Sequence, residues 1–170
     1  AIVLIRYIFR ISFEKENRSA QEAADERASR ATHVSLVVRN PALFGKKISE
    51  VASLIDKKFV ISRILHEEKG LKIAKSGTYL EEGDKLFVIA ATQDINTIVA
   101  FIGERIPMHR AEWEKLDTNL VSRRILITRG EVNGKTLGQL HLRGGFGINI
   151  TRVNRSGLDL VAHPGLQLQI

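Results

Sequence analysis

The chain has 170 residues, of which 44% are hydrophobic, and it contains no cysteine. The missing cysteines exclude disulfides, thiolate metal sites and a cysteine nucleophile, and the length suits one or two small domains with modest cores. The net charge of +7 is compatible with a phosphate-bearing ligand, an anionic membrane surface or a nucleic acid, and does not choose among them.

Residues 1–13 are predicted to be the end of a transmembrane helix. The opening AIVLIRYIFRI would form a helix of about 16 Å, which is too short to cross a bilayer core of about 30 Å alone. Arg6 and Arg10 lie four residues apart beside Tyr7 and Phe9, as expected where a helix leaves the membrane on its cytoplasmic side. A short buried strand or helix, or a segment foreign to the protein, is the alternative.

Residues 14–31 are predicted to form a helical linker. Ser19 and Glu22 have the spacing of a capping box, and alanines follow at helical intervals. The alanine stripe could pack against a partner helix or belong to a solvated connector.

A repeat at an offset of about 89 residues organises the remainder. GKKISEV (45–51) and FVISRI (59–64) correspond to GKTLGQL (134–140) and INITRV (148–153). Upstream, SLVV (35–38) falls on RILI (124–127), and both segments are predicted to be buried strands. Downstream, GLKIA (70–74) falls on GLDLV (157–161) after a two-residue shift. The sequence therefore predicts an α+β fold of two units, each with a small sheet and a helix that opens after Gly45 or Gly134.

The first unit is assigned to residues 32–107, the linker to 108–120 and the second unit to 121–170. The first unit continues with a turn and strand, EEGDKLFVIA, and then an amphipathic helix that Pro107 should end. The second unit stops before an equivalent of that strand, so we expect it to be truncated and less stable, or covered by a neighbouring chain. The aliphatic residues expected to be partly uncovered are Ile125, Ile127, Ile148 and Ile150.

GKTLGQLHLRGGFGINITRVNRSG resembles the TrkA-C domain, the C-terminal ligand-binding subdomain of regulator-of-potassium-conductance proteins. GKKISEV, FVISRI and YLEEGDKLFVIA resemble it less literally. Two copies after a membrane-helix end are similar to the cytosolic insert of the aspartate:alanine exchanger group of transporters. The resemblance implies a regulatory, ligand-sensing module of a secondary transporter, attached to the transmembrane part of the same polypeptide at the cytoplasmic side of the cell membrane. It also implies a nucleotide or another small anion as the candidate ligand. Because edge strands leave unpaired backbone groups, we expect the two units to pair with each other or with a second chain, as in a homodimer.

Arginines at equivalent strand positions of the two units are the candidate anion ligands, since a guanidinium binds phosphate or carboxylate through paired donors. Solvated arginines on a strand face are the alternative. The candidate ligand-binding residues, with the polar neighbours that share the strand ends, are Arg39, Asn40, Arg63, Thr128, Arg129 and Arg152.

The other motifs predict structure rather than chemistry. GGFG (144–147) is expected to be a helix-ending turn. The five histidines show no metal-ligand spacing, and no cofactor or metal site is predicted. The glutamate pairs at 67–68 and 81–82 are expected to be solvated turn charges that point apart. With no nucleophile elbow or triad, the sequence does not predict an enzyme.

Two further functions are alternatives to a transporter regulatory domain. A nucleic-acid-binding module would use the basic excess, but the charges are spread along the chain and only 6% of the residues are aromatic. A purely structural oligomerisation domain is the other alternative.

Overall fold

The computed structural model describes residues 29–116 and 121–169. The predicted membrane-helix end and nearly all of the predicted linker helix lie outside these residues. Within the described ranges, no helix has the length and apolar character needed to cross a membrane.

One antiparallel sheet forms the larger part of the fold. Its strands are β1 (Ala31–Val38), β2 (Phe59–His66), β3 (Gly70–Ile73), β4 (Lys85–Ala91) and β5 (Gly103–Arg105). They are arranged in the order β3-β2-β4-β1-β5. The predicted final strand of the first unit is thus confirmed, and it lies at the centre of the sheet.

Both faces of this sheet are buried, which explains why its central strands are almost continuously apolar. On the inner face, Leu36, Ile64 and Val88 pack with the helices α1 (Ile48–Ser53) and α2 (Ile95–Ile102). On the outer face, alternate residues such as Phe87 and Ile89 form a second cluster. Because successive side chains of a strand point to opposite faces, each strand contributes to both clusters.

Helix α2 ends earlier than predicted. Its last residue is Ile102, and Gly103 starts β5, which pairs with the end of β1. Gly103 permits this because an added Cβ would lie 2.3 Å from Val37 O and 2.6 Å from Arg39 N. A close backbone approach, rather than Pro107, ends the helix.

The range predicted as a linker contains α3 (Arg110–Leu116), which completes the outer face of the sheet. Trp113 is fully buried there against Phe87, with the ring centroids 5.7 Å apart. Its Nε1 donates to Ser35 Oγ at 2.9 Å, and Ser35 Oγ donates to Met108 O at 2.5 Å. Trp113 was expected to lie in a linker, and its place in the core was not predicted from the sequence.

The second segment is built differently from the first. The predicted strand at 124–127 is wrong, since residues 121–129 contain no strand and Leu126 is 84% exposed. After Gly134 a single turn of 3-10 helix (Gly138–Leu140) replaces the predicted α-helix. Gly138 lies against Pro164, with its amide donating to the proline carbonyl at 2.8 Å. Glycine disfavours the α-helix, and its lack of a side chain allows this close contact with Pro164.

The rest of the second segment consists of α4 (Leu142–Phe146) and a hairpin of β6 (Arg152–Arg155) and β7 (Leu158–Val161). The GGFG stretch does end a helix, because Gly147 closes α4 in the left-handed conformation. Of the four aliphatic residues expected to be uncovered, Ile125, Ile127 and Ile148 are 72%, 38% and 43% exposed, and Ile150 is half-buried.

The repeat nevertheless persists in the backbone hydrogen bonds. The Gly45 amide donates to Leu80 O at 2.8 Å, and the Gly134 amide donates to Leu168 O at the same distance. The return bonds, to the carbonyl of the residue after each glycine, measure 3.0 Å from Leu80 and 2.9 Å from Leu168. Both glycines have positive φ, 71° and 79°. In both segments the stretch that begins at the glycine is therefore hydrogen-bonded in the same way to a leucine farther along the chain.

The hairpins also correspond, but with a register that differs from the prediction by one residue. Arg63 pairs with Ile73 in the first, and Arg152 pairs with Val161 in the second. The β6–β7 turn is one residue shorter than the β2–β3 turn, so Gly70 is equivalent to Leu158 rather than to Gly157. Matching Gly70 to Gly157 because both are glycines was therefore wrong by one residue.

We predict that Trp113→Ala lowers the free energy of unfolding by about 3–5 kcal/mol, because it removes a fully buried indole from the outer core. Leu116→Ala, at a side chain that is 51% exposed, should cost much less. Urea unfolding followed by far-ultraviolet circular dichroism measures both. Similar losses in the two variants would contradict the assignment of α3 to the core.

We predict that Gly103→Ala destabilises the protein by about 1–3 kcal/mol or more, since its methyl group would overlap the backbone of β1. Gly77→Ala is the matched control, because nothing lies within 4 Å of the Cβ it would add. Thermal unfolding of the two variants side by side gives the comparison. Equal melting temperatures would show that β5 does not pack as described.

Candidate functional site

A ring of polar and aromatic groups surrounds Phe87 on the outer face of the sheet. The register between β2 and β4 shifts between Ile61 and Arg63, and Arg63 lies over the Phe87 ring at 5.6 Å. The His33 ring stacks on Phe87 with centroids 5.2 Å apart. Arg63 thus belongs to an aromatic surface rather than to a freely solvated strand face.

An open groove of about 360 Å³ lies beside this surface, between α3 and the start of the second segment. Three arginines and one glutamate give it an excess of positive charge. Its lining residues are Arg63, Arg110, Glu114, Val121, Ser122 and Arg123. We call this the arginine groove.

Within the arginine groove, the single carboxylate is held by one of the arginines. Arg110 Nε donates to Glu114 Oε1 at 2.7 Å, and this hydrogen bond lowers the pKa of Glu114. Because both side chains are half exposed, the pair contributes little to stability. Its main effect is to fix the direction of the Arg110 guanidinium.

His33 reports the positive potential around the groove. Its pKa lies below the ordinary value of 6.5, first because burial disfavours the charged ring, and then because of the positive charges of Arg152, Arg110 and His109. Of the predicted arginines, Arg63 lines the groove, whereas Arg152 does not line it but acts on His33 from the second hairpin.

The other predicted residues lie elsewhere. Asn40 has a structural role, since its Oδ1 accepts from the Ala42 amide at 3.0 Å and its Nδ2 donates to Phe101 O at 2.7 Å. The remaining three are exposed and do not line the groove; they are Arg39, Thr128 and Arg129.

Sequence reasoning missed Arg110, Arg123 and His33. Arg110 and Glu114 have the i, i+4 spacing of a helical ion pair in RAEWEKL, which could have marked α3 as ordered. No pattern in the sequence indicated that Arg123 would lie opposite this helix.

A second polar cluster lies at the far end of β2. His66 Nδ1 is 2.6 Å from Asp84 Oδ1 and 3.9 Å from Glu81 Oε2. The pKa of Asp84 is raised, chiefly by burial, although a hydrogen bond from the Glu81 amide and the His66 ring oppose the shift. Glu81 was expected to be a solvated turn charge, but it lies between His66 and the Lys69 ammonium group.

Residues 33–103 match the TrkA-C domain model. The whole chain is 42% identical to an uncharacterized transporter of Bacteroides thetaiotaomicron and spans 30% of that protein. It is also 47% identical over 169 residues to an uncharacterized transporter of Bacteroides fragilis, again over 30% of its length. A Porphyromonas gingivalis relative, also named an uncharacterized transporter, is 36% identical over 88% of this chain and 27% of its own. The chain thus spans about 30% of the length of the curated relatives it matches.

We predict that the pKa of His33, followed by NMR through its Hε1 signal, is below 6.5 and rises in Arg152→Gln, which removes a nearby positive charge. Because the folded-state pKa is lowered, the stability that His33 contributes is present above 6.5 and is lost as the pH falls through the folded-state value. Arg124→Gln is the control, since Arg124 is exposed and is not among the charges that act on His33. An unchanged pKa in Arg152→Gln would show that the charge of Arg152 does not act on His33.

Proposed function

We propose that this chain is a regulatory, ligand-sensing part of a membrane transporter and lies on the cytoplasmic side of the cell membrane. The TrkA-C match and the longer relatives named as transporters support a regulatory role beside a transmembrane part of the same polypeptide. The transported species is proposed to be an ion or an amino acid, as in potassium transport or in aspartate:alanine exchange. In this proposal the chain has no enzymatic activity.

The arginine groove is the observation that carries the ligand-sensing proposal. Three guanidinium groups line the groove with one carboxylate, which is paired with Arg110, so the groove carries an excess of positive charge. Guanidinium groups bind phosphate oxygens through charge-assisted, often paired, hydrogen bonds. The ligand we propose is therefore a nucleotide or another small phosphate-bearing anion.

Binding in the groove would couple the two segments of the chain. Arg63 belongs to β2, Arg110 to α3, and Arg123 to the stretch that opens the second segment. An anion held by all three would restrain the second segment against the sheet and stabilise that arrangement by its binding free energy. Regulation requires a differential affinity of this kind between two arrangements.

The assembly we propose is a homodimer in which both segments act as TrkA-C-like units. The matched hydrogen bonds after Gly45 and Gly134 support a common origin of the two segments. The exposed aliphatic residues at 125–127 support a further contact surface, because a large exposed apolar patch usually marks an interaction site.

A nucleic-acid-binding function receives less support. The groove combines its arginines from three separate elements around a small volume, whereas a nucleic-acid surface needs a long basic stripe.

We predict that Arg110→Gln and Arg123→Gln each weaken the binding of a phosphate-bearing ligand about tenfold or more, since each removes a charge-assisted donor. The ligands to screen are pyrophosphate, mononucleotides and cyclic dinucleotides, with thermal shift first and isothermal titration calorimetry for any hit. A bound anion should also raise the pKa of His33, because it offsets the neighbouring arginines.

Arg124→Gln is the matched control, because Arg124 is exposed and does not line the groove. It changes the net charge by the same amount as the test variants and should retain wild-type affinity. If all three variants weakened ligand binding equally, the loss of affinity would come from the change in net charge and not from the groove. If no phosphate-bearing ligand bound the wild-type chain, the ligand-sensing proposal would be wrong.

A further inference from the structure

We propose that His66, Glu81 and Asp84 form a binding site for a divalent transition-metal ion such as Zn²⁺. One imidazole nitrogen and two carboxylate oxygens lie within 4.8 Å of one another in this cluster. The site is separate from the arginine groove and independent of the proposed anion.

The fold holds two of the three ligands rigidly. His66 is the last residue of β2, and Asp84 precedes β4, the strand that pairs with β2. Asp84 Oδ2 accepts from the Glu81 amide at 2.6 Å, and the Asp84 carbonyl accepts from the Val38 amide at 2.9 Å. The turn between Glu81 and Asp84 is tight because Gly83 has a φ of 80°. Pairing of the two strands therefore keeps His66 and Asp84 side by side.

The burial of the histidine is the second observation that points to a metal. The His66 side chain is only 8% exposed, and its Nδ1 is buried. Asp84, which is 3% exposed, places Oδ1 2.6 Å from this nitrogen, so the two buried atoms face each other. Buried polar atoms need a shared partner, and a divalent cation could bind both Nδ1 and Oδ1 in place of a shared proton.

The donor set selects the class of metal. Imidazole nitrogen favours zinc and its transition-metal neighbours, whereas magnesium and calcium prefer sites made entirely of oxygen. Two carboxylates also balance the two positive charges of the ion. Glu81 is half exposed, so the third ligand can adjust and a water molecule can complete a tetrahedral shell, as in open zinc sites.

Lys69 provides a test that distinguishes a metal site from a structural contact. Its ammonium group contacts Glu81 Oε1, while Glu81 Oε2 faces His66. A metal ion would therefore compete with Lys69 for the same carboxylate and would be repelled by its charge. Lys69→Gln should tighten metal binding, whereas a purely structural contact gives no reason for such a change.

The experiment is a calorimetric titration of the 170-residue chain with Zn²⁺ near neutral pH, with Mg²⁺ as a parallel titrant. We expect Zn²⁺ to bind and Mg²⁺ to bind much more weakly. His66→Gln and Glu81→Gln should each weaken Zn²⁺ binding about tenfold or more, and Lys69→Gln should strengthen it. Co²⁺ in place of Zn²⁺ should give visible absorption bands that report its ligands, and these bands should change in Glu81→Gln.

Glu82→Gln is the matched control, because Glu82 is the exposed neighbour of Glu81 and does not belong to the cluster. It should bind Zn²⁺ as the wild type does. Glu81→Gln also guards against misfolding, since its side chain is half exposed and circular dichroism can verify the fold. Wild-type affinity in both His66→Gln and Glu81→Gln, or no Zn²⁺ binding by the wild type, would overturn the proposal.

Discussion

Strand β4 is the element on which the rest of the structure depends. It lies between β1 and β2 at the centre of the sheet, and all of its residues after Lys85 are buried. A strand that is apolar on both faces is stable only if both faces are covered. The inner face is covered by α1 and α2, and the outer face by Trp113 and by Val161 of β7. Helix α3 and the β6–β7 hairpin therefore both belong to the core on the outer face of the sheet.

The apolar periodicity of the sequence was sufficient to predict the strands and the helix that pack together within the sheet and its inner face. FVISRI and KLFVIA formed neighbouring strands, and the amphipathic stretch after them formed α2. RILI has the same apolar character as SLVV but no strand partner, and it remains exposed. An apolar run thus indicates what a segment can pair with, and tertiary context decides whether that pairing occurs.

The candidate sites were less predictable because their residues come from distant stretches. Arg63 and Arg152 were singled out through the repeat and do hold equivalent positions in the two hairpins, but only Arg63 lines the groove. Arg110 and Arg123 line a groove with Arg63, and Arg110 reaches it only because Trp113 packs α3 on the outer face. Likewise, His66 meets Asp84 only through the pairing of β2 with β4. The spacing of residues along the chain does not predict such contacts between distant segments.

Contacts between the second segment and the sheet link the packing of the two segments. Asn149 Nδ2 donates to Ser62 O at 3.1 Å, beside the register shift in β2, and Val161 packs in the same cluster as Phe87. A change in the size of Phe87 would alter the surface that receives the hairpin as well as the surface that receives Trp113. A substitution at Phe87 would therefore require compensating changes in both the second segment and α3, so the packing of the two segments is constrained jointly through this one side chain.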